Sequence, residues 1–98
     1  MSYPNLPNRC QKDELIVITG AGGFIGGALT RHFAELGFRR IRAVDRKPLT
    51  EWYQRVLGVE CLSLDLAHED NCRRVCEDAA EVYNLAADMG GMGFIERF

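Results

Sequence analysis

The chain has 98 residues, of which 47% are hydrophobic, and a formal net charge of −2 at pH 7. This composition is typical of a globular protein, and the length allows one domain at most. The small negative charge gives no reason to expect nucleic acid or a membrane as a partner. No apolar stretch approaches the roughly 20 residues that span a bilayer, and residues 1–9 lack a signal-peptide apolar region. We therefore expect a cytoplasmic protein with a poorly ordered leader at 1–13 and one partial domain at 14–98.

The predicted elements begin with a short apolar strand at 14–19, as expected for a parallel strand covered on both faces. A helix follows from Gly23 and stops at Gly37, with apolar residues at helical spacing between them. Gly27 lies inside this helix and costs about 1 kcal/mol relative to alanine, for which close approach of another element is one explanation. The remaining predicted elements are strands at 41–45, 59–65 and 82–87, a helix at 68–78 and a short helical stretch at 49–57.

The order of these elements predicts the topology. Strands that alternate with helices through right-handed crossovers form a parallel sheet of order 3-2-1-4, which is half of a doubly wound α/β domain. Ligands of such sheets bind at the carboxyl ends of the strands, near the switch point between strands 1 and 4. Four positions follow or end a predicted strand and should converge there: Gly20, Asp45, Asp65 and the pair Ala86-Ala87.

Three glycines after the first strand have the spacing of a dinucleotide-binding turn. Gly20 permits the tight turn, Gly23 leaves room for a pyrophosphate, and Gly26 lets the helix pack closely on the strand. The N–H groups of the first helical turn, including those of Phe24 and Ile25, lack intrahelical partners and favour an anion. This spacing, between a strand and a helix, predicts a Rossmann-like NAD(P)-binding unit. A glycine-rich turn that binds nothing is the alternative.

An acidic residue follows the second apolar run at the distance that this unit requires. Asp45 lies 19 residues after Gly26, where its carboxylate would accept hydrogen bonds from the adenosine ribose. A carboxylate repels a 2′-phosphate, which favours NAD over NADP as the cofactor. Arg46 weakens this preference, because a guanidinium can pair with a 2′-phosphate.

Together, the glycine turn, Asp45, Asp65-Leu66 and the Asn-Leu-Ala-Ala segment at 84–87 resemble the extended short-chain dehydrogenases, which include the NAD-dependent epimerases and dehydratases. The resemblance runs from about residue 15 to the end of the chain. It implies that Asp65 contacts the adenine amino group and that the backbone of Leu66 assists. It also places three residues beside the cofactor: Leu85, Ala86 and Ala87.

The glycine- and methionine-rich segment after the last predicted strand resembles a loop that lines the sugar-nucleotide pocket in this family. Flexible methionine and side-chain-free glycine would let a hexose ring approach the nicotinamide. A glycine-rich linker into the next helix is the alternative. The residues expected to bind a nucleotide-sugar substrate are Met89, Gly90, Gly91 and Met92.

Enzymes of this family use a tyrosine with a lysine four residues later, which lowers the tyrosine pKa for proton transfer. The tyrosines at 3, 53 and 83 are followed at that distance by Pro7, Leu57 and Ala87. We therefore predict no catalytic residue here, and interpret the chain as the cofactor-binding part of a nucleotide-sugar epimerase that works by transient C4 oxidation. A dehydratase or oxidoreductase parent, or a non-catalytic NAD-binding module, are the alternatives.

The cysteines and histidines give only a weak indication of a metal site. Cys72 and Cys76 would share a helix face, as two metal ligands would, but no Cys-x-x-Cys occurs and neither histidine has ligand spacing from them. We predict free, partly buried thiols and no metal, with Cys61 in the core. His32 and His68 are expected at the surface or its boundary.

Strand 4 would be an exposed edge if the sheet ended with it. A chain of this size also buries only a modest fraction of its surface. We therefore expect marginal stability, or self-association through the strand 4 edge or the apolar tail residues Phe94, Ile95 and Phe98.

Overall fold

A computed structural model describes residues 11–86 and the backbone of 94–97, and in it a helical segment separates each of the first four strands from the next. The elements are β1 (Leu15–Thr19), α1 (Phe24–Glu35), β2 (Arg40–Asp45), β3 (Glu60–Ser63), α2 (Glu69–Cys76), β4 (Ala79–Asn84) and β5 (Phe94–Arg97), with a 3₁₀ turn at Leu49–Glu51. The predicted leader lies outside the described residues as far as residue 10; Lys12 O accepts the Arg39 N–H at 2.9 Å. Neither described helix has the length and apolar character needed to cross a membrane.

The sheet has the strand order β3-β2-β1-β4-β5. β1 pairs in parallel with β2 and β4, and β2 pairs in parallel with β3, which confirms the predicted parallel order 3-2-1-4. β5 pairs antiparallel with the outer side of β4. The expectation that strand 4 is an exposed edge is therefore wrong, because residues 94–97 supply its hydrogen-bonding partner. Self-association stays a prediction.

Several boundaries differ from those expected. α2 ends at Cys76 instead of residue 78, because Glu77 is extended and Asp78 adopts a left-handed φ of 66°. β4 consequently begins at Ala79 and ends at Asn84, so the expected strand at 82–87 is displaced toward the amino terminus. The expected helical stretch at 49–57 is reduced to one 3₁₀ turn that ends where Trp52 becomes extended.

The central strand divides the core into two clusters. All five residues of β1 are buried, and successive side chains of a strand point to opposite faces. Leu15 and Val17 pack with Val75 of α2 on one face, while Ile16 and Ile18 pack against the cluster on the other face. Burying one such side chain fully stabilises the fold by about 1.5–3 kcal/mol. The continuous apolar run thus forms the doubly covered strand that its pattern predicts.

The described cysteines lie at the margins of these two clusters, and Cys61 and Cys72 are free thiols. Cys61 is partly buried against the cluster on the α1 side, and Cys72 and Cys76 against the other. Burial raises the pKa of the Cys61 and Cys72 thiols above the ordinary value. These thiols therefore keep their protons in the folded chain at pH values where the unfolded chain has lost them.

We expect the free energy of unfolding to decrease as the pH rises above about 8.5, the ordinary thiol pKa. Above that pH the unfolded state binds fewer protons than the folded state, so alkali favours unfolding; below it the contribution is fully present. Urea denaturation at pH 7.5 and 9.5 measures the effect in the wild type and in a Cys61→Ala/Cys72→Ala variant. The wild type should lose more stability than the variant, and equal losses would show that the two thiols do not contribute.

Candidate functional site

A cleft of about 270 Å³ lies at the carboxyl ends of the parallel strands. Each of the strands β1 to β4 contributes its end or the residues that follow it. The lining residues are Gly20, Gly23, Asp45, Arg46, Lys47, Leu64, Asp65, Leu66, Leu85 and Ala86. This is the edge at which doubly wound sheets bind their ligands. The structure thus brings together the strand ends that the sequence places there.

Most residues predicted to bind a cofactor line this cleft, and a few do not. The side chains of Phe24 and Ile25 are exposed at the start of α1, and Gly26 is buried within the first turn of that helix. Ala87 and the predicted substrate loop, Met89 to Met92, lie outside the described residues. Two lining residues were not among the predicted ones: Lys47 and Leu64. Their position within two residues of the ends of β2 and β3 is the signal that could have identified them.

Gly20 lets the turn after β1 approach the end of β4 very closely. Its φ is +74°, and a Cβ there would lie 2.7 Å from the carbonyl carbon of Leu85 and 2.9 Å from Ala86 N. The Leu85 N–H donates to Thr19 O at 3.2 Å across the same gap. A side chain at this position would therefore separate two walls of the cleft.

Gly26 brings α1 down onto the turn that precedes it. A Cβ at this position would overlap the carbonyl oxygen of Gly20 and lie 2.8 Å from the Cα of Ala21. The neighbouring Gly27 is approached by a flexible side chain and not by backbone, since a Cβ there would lie 2.9 Å from Cγ of Gln54. The segment after the 3₁₀ turn is thus the element whose close approach explains a glycine inside the helix.

The amino terminus of α1 is suited to an anion. Its N-cap is Gly23, which supplies no side-chain cap, and its first turn contains no acidic residue. The N–H groups of Phe24, Ile25 and Gly26 have no acceptor within the helix, because helical hydrogen bonds begin with the N–H of Gly27, here 2.9 Å from Gly23 O. The helix dipole adds partial positive charge at this point.

Asp45 is half-buried, and backbone donors hold its carboxylate at the rim of the cleft. Oδ2 accepts the Gly22 N–H at 2.9 Å, and Oδ1 accepts the Lys47 N–H at 3.0 Å. A carboxylate has about four acceptor positions, so two remain for a ligand. The carboxylate of Asp65, further along the edge, is more exposed and accepts the Ala67 N–H at 2.9 Å.

A buried polar pair joins the ends of β1 and β4. The Thr19 hydroxyl donates to Oδ1 of Asn84 at 2.8 Å, and the Ala86 N–H donates to the same oxygen at 3.3 Å. Both side chains are almost completely buried. These bonds set the path of the backbone through Leu85 and Ala86, which form one wall of the cleft.

The other polar groups singled out in the sequence lie elsewhere. The Cys72 thiol donates to Leu66 O at 3.1 Å, behind the cleft, while His32 and His68 are exposed as expected. Within the described part of the chain, no group of three or more His, Cys, Asp or Glu side chains could hold a metal ion.

The parallel sheet, the glycine turn into α1 and the acid at the end of β2 define a Rossmann-like α/β domain. The sequence profile of the NAD dependent epimerase/dehydratase family matches residues 16–94. The chain belongs to this family, which confirms the resemblance inferred from its motifs.

Individual proteins of known sequence or structure are similar to this chain. GDP-mannose 3,5-epimerase 1 of Oryza sativa subsp. indica is 44% identical over 81 residues, which are 83% of this chain and 21% of that protein. GDP-mannose 3,5-epimerase of Arabidopsis thaliana is 43% identical over the same shares. The solved structure of an epimerase from Methanothermobacter thermautotrophicus has a TM-score of 0.62 at 24% identity, over 76% of this chain and 23% of that one, and so shares its fold. The chain thus spans about a fifth of the length of these curated relatives.

Proposed function

We propose that this chain binds NAD and forms the cofactor-binding part of a nucleotide-sugar epimerase resembling GDP-mannose 3,5-epimerase. The observation that carries the proposal is the cleft itself, in which Gly23, at the start of α1, and the carboxylate of Asp45 line the same cavity. A dinucleotide presents a pyrophosphate and an adenosine ribose, which are the two groups that these features recognise. The identity to plant GDP-mannose 3,5-epimerases supports the choice of substrate class.

The pyrophosphate would lie at the amino terminus of α1. There the N–H groups of Phe24 and Ile25 donate hydrogen bonds, and the absence of a side chain on Gly23 lets the phosphates approach the backbone. Among the residues that the structure describes, a Cβ on Gly23 would have only Gly20 O within 4 Å, at 3.6 Å, so none of them fills the space assigned to the ligand. The exposed side chains of Phe24 and Ile25 are not needed for this role.

The adenosine would lie along the ends of β2 and β3. Asp45 keeps two acceptor positions for the ribose hydroxyls, while Asp65 and the backbone of Leu66 would bind the adenine amino group. The fixed carboxylate of Asp45 favours NAD over NADP, because it would repel a 2′-phosphate. Arg46 and Lys47 line the same rim and reduce that preference.

When bound, NAD supplies the hydride acceptor for transient oxidation at C4 of the hexose, which acidifies the neighbouring C–H groups. The residues of this chain would bind and orient the dinucleotide, with Leu85, Ala86 and Ala87 beside it. Met89, Gly90, Gly91 and Met92 would form part of the sugar pocket. No tyrosine in the sequence has a lysine four residues later, so proton transfer is assigned to residues beyond this segment. The free thiols of Cys61 and Cys72 are those expected of a protein in a reducing, cytoplasmic location.

Calorimetric titration of the chain with NAD and with NADP tests the cofactor assignment. We expect saturable binding of one NAD and weaker binding of NADP. A chain that binds neither nucleotide would overturn the proposal, and a preference for NADP would overturn the ribose role of Asp45.

The substrate assignment requires the longer protein that contains this sequence. Incubation with GDP-mannose in D₂O is expected to introduce deuterium at C3 and C5 of the hexose. Formation of a 4-keto-6-deoxy sugar would instead identify a dehydratase. Absence of any reaction in a protein that binds NAD would favour the non-catalytic module.

A further inference from the structure

We propose that a closed ring of hydrogen bonds around Gly22 holds the glycine turn in its cofactor-binding shape before NAD arrives, and that Trp52 is the positioning residue of this ring. The ring consists of Gly22, Asp45, Lys47, Trp52 and Tyr53. This inference rests on the proposed binding of NAD. It assigns a role in that binding to the segment after Lys47, none of whose residues up to β3 lines the cleft.

Four hydrogen bonds close the Gly22 ring. The N–H of Gly22 donates to Asp45 Oδ2 at 2.9 Å, and the other oxygen of that carboxylate accepts the Lys47 N–H at 3.0 Å. The indole Nε1–H of Trp52 donates to Lys47 O at 2.9 Å. The N–H of Tyr53 then donates back to Gly22 O at 2.8 Å. Both backbone polar groups of Gly22 are therefore used within the ring.

Packing reinforces these bonds. A Cβ on Gly22 would lie 2.9 Å from Cγ of Asp45 and 3.0 Å from Cδ1 of Trp52, so both side chains contact the glycine backbone. Trp52 is only 7% exposed and belongs to the core cluster on the α1 side. Its ring is thus held by the core, while its one polar atom is committed to the backbone of the loop.

Two further contacts tie the same segment to α1. Nε of Arg31 donates to Oε1 of Gln54 at 2.7 Å. The rings of Phe24 and Tyr53 meet edge to face with their centroids 4.9 Å apart. The segment after the 3₁₀ turn therefore joins the glycine turn, the acid of β2 and the first turn of α1.

The consequence for binding is that the ribose acceptor and the phosphate donors are held in one arrangement. The N–H of Gly22 donates to Asp45 and that of Gly23 donates to Gly20 O at 3.2 Å, so the pyrophosphate would use N–H groups of the first turn of α1 instead. The carboxylate of Asp45 faces the cleft with the orientation that the ring imposes. Groups that are already held in the binding arrangement bind a ligand more tightly, because they lose little conformational entropy when the ligand binds.

A double-mutant cycle on NAD affinity tests the inference. Trp52→Phe keeps an aromatic ring in the core and removes the indole donor, and we expect it to weaken NAD binding by about threefold to tenfold. Asp45→Asn should weaken binding by about tenfold or more. If Trp52 acts through the ring, the double variant should bind NAD no more weakly than Asp45→Asn alone. Leu57→Ser, at a fully exposed position of the same segment, serves as the matched control and should bind NAD like the wild type.

Amide hydrogen exchange in the wild type, without ligand, gives a second measurement that does not depend on the folding of a variant. The N–H groups of Gly22 and Tyr53 should be protected before NAD is added, and protection of both should fall in Trp52→Phe. Rapid exchange at these amides in the wild type, or fully additive losses of affinity in the cycle, would overturn the role of the ring. A wild-type chain that is protected there but does not bind NAD would instead contradict the proposed function, and the cofactor role of the ring with it.

Discussion

Replacing Gly26 with alanine is expected to destabilise the chain by about 3 kcal/mol, within the range that overpacking produces. The added Cβ would overlap the carbonyl oxygen of Gly20 and lie 2.8 Å from the Cα of Ala21. Both are backbone atoms beside the central strand, so neither can rotate away as a side chain could. Alanine is the better helix former by about 1 kcal/mol, which only partly offsets the overlap.

Gly23→Ala is the matched control, because it makes the same chemical change three residues earlier in the same turn. Gly23 has a φ of −85°, which alanine adopts without strain, and in the described part of the chain the nearest non-adjacent neighbour of its Cβ would be Gly20 O, 3.6 Å away. We expect a loss of stability of about 1 kcal/mol or less, because alanine is a poorer N-cap than glycine but meets no close neighbour among the described residues. The affinity for NAD should nevertheless decrease by at least about tenfold, because the Cβ enters the space assigned to the pyrophosphate.

Urea denaturation measures the first difference and calorimetry with NAD the second. Equal stability of the two variants would show that α1 can move away from the turn. Normal binding of NAD by the Gly23→Ala chain would show that the pyrophosphate is placed elsewhere.

Asp45→Ala is expected to weaken NAD binding by about 10- to 100-fold, since hydrogen bonds to a charged group contribute about 1.5–3 kcal/mol. The substitution removes the ribose acceptor and also leaves the N–H groups of Gly22 and Lys47 without their acceptor. The preference for NAD over NADP should decrease as well, because the charge that repels a 2′-phosphate is lost.

Asp70→Ala provides the control for Asp45, as it removes the same charge from the exposed first turn of α2. Circular dichroism of both variants would show that the fold is retained, and titration with NAD and NADP would give the two affinities. An Asp45→Ala chain with wild-type affinity for NAD would remove the ribose role from this residue.

Much of the fold could be predicted because its signals are local. The apolar run of β1 is long enough for a strand and too short for a helix. The glycines that follow it have the spacing of a dinucleotide-binding turn. The end of α2 was harder to predict from the sequence. No residue pattern marks the left-handed conformation of Asp78, after which β4 begins earlier than expected. Antiparallel β5 was missed because a four-residue strand is defined by its partner, and not by its own pattern.

Parts of the candidate site could likewise be predicted from local sequence, and other parts could not. Gly20, Asp45 and Asp65 were placed correctly at the cleft because their spacing from the strands is a property of the chain alone. The sequence thus determined the family, the parallel order 3-2-1-4 and the strand ends that form the cleft. Only the tertiary structure decided that Trp52 and Tyr53 close a ring on Gly22 and that Gln54 packs against Gly27. The contacts on Gly22 and Gly27 join residues that are about 30 positions apart, and no local pattern encodes which residue of an irregular segment will meet a given glycine.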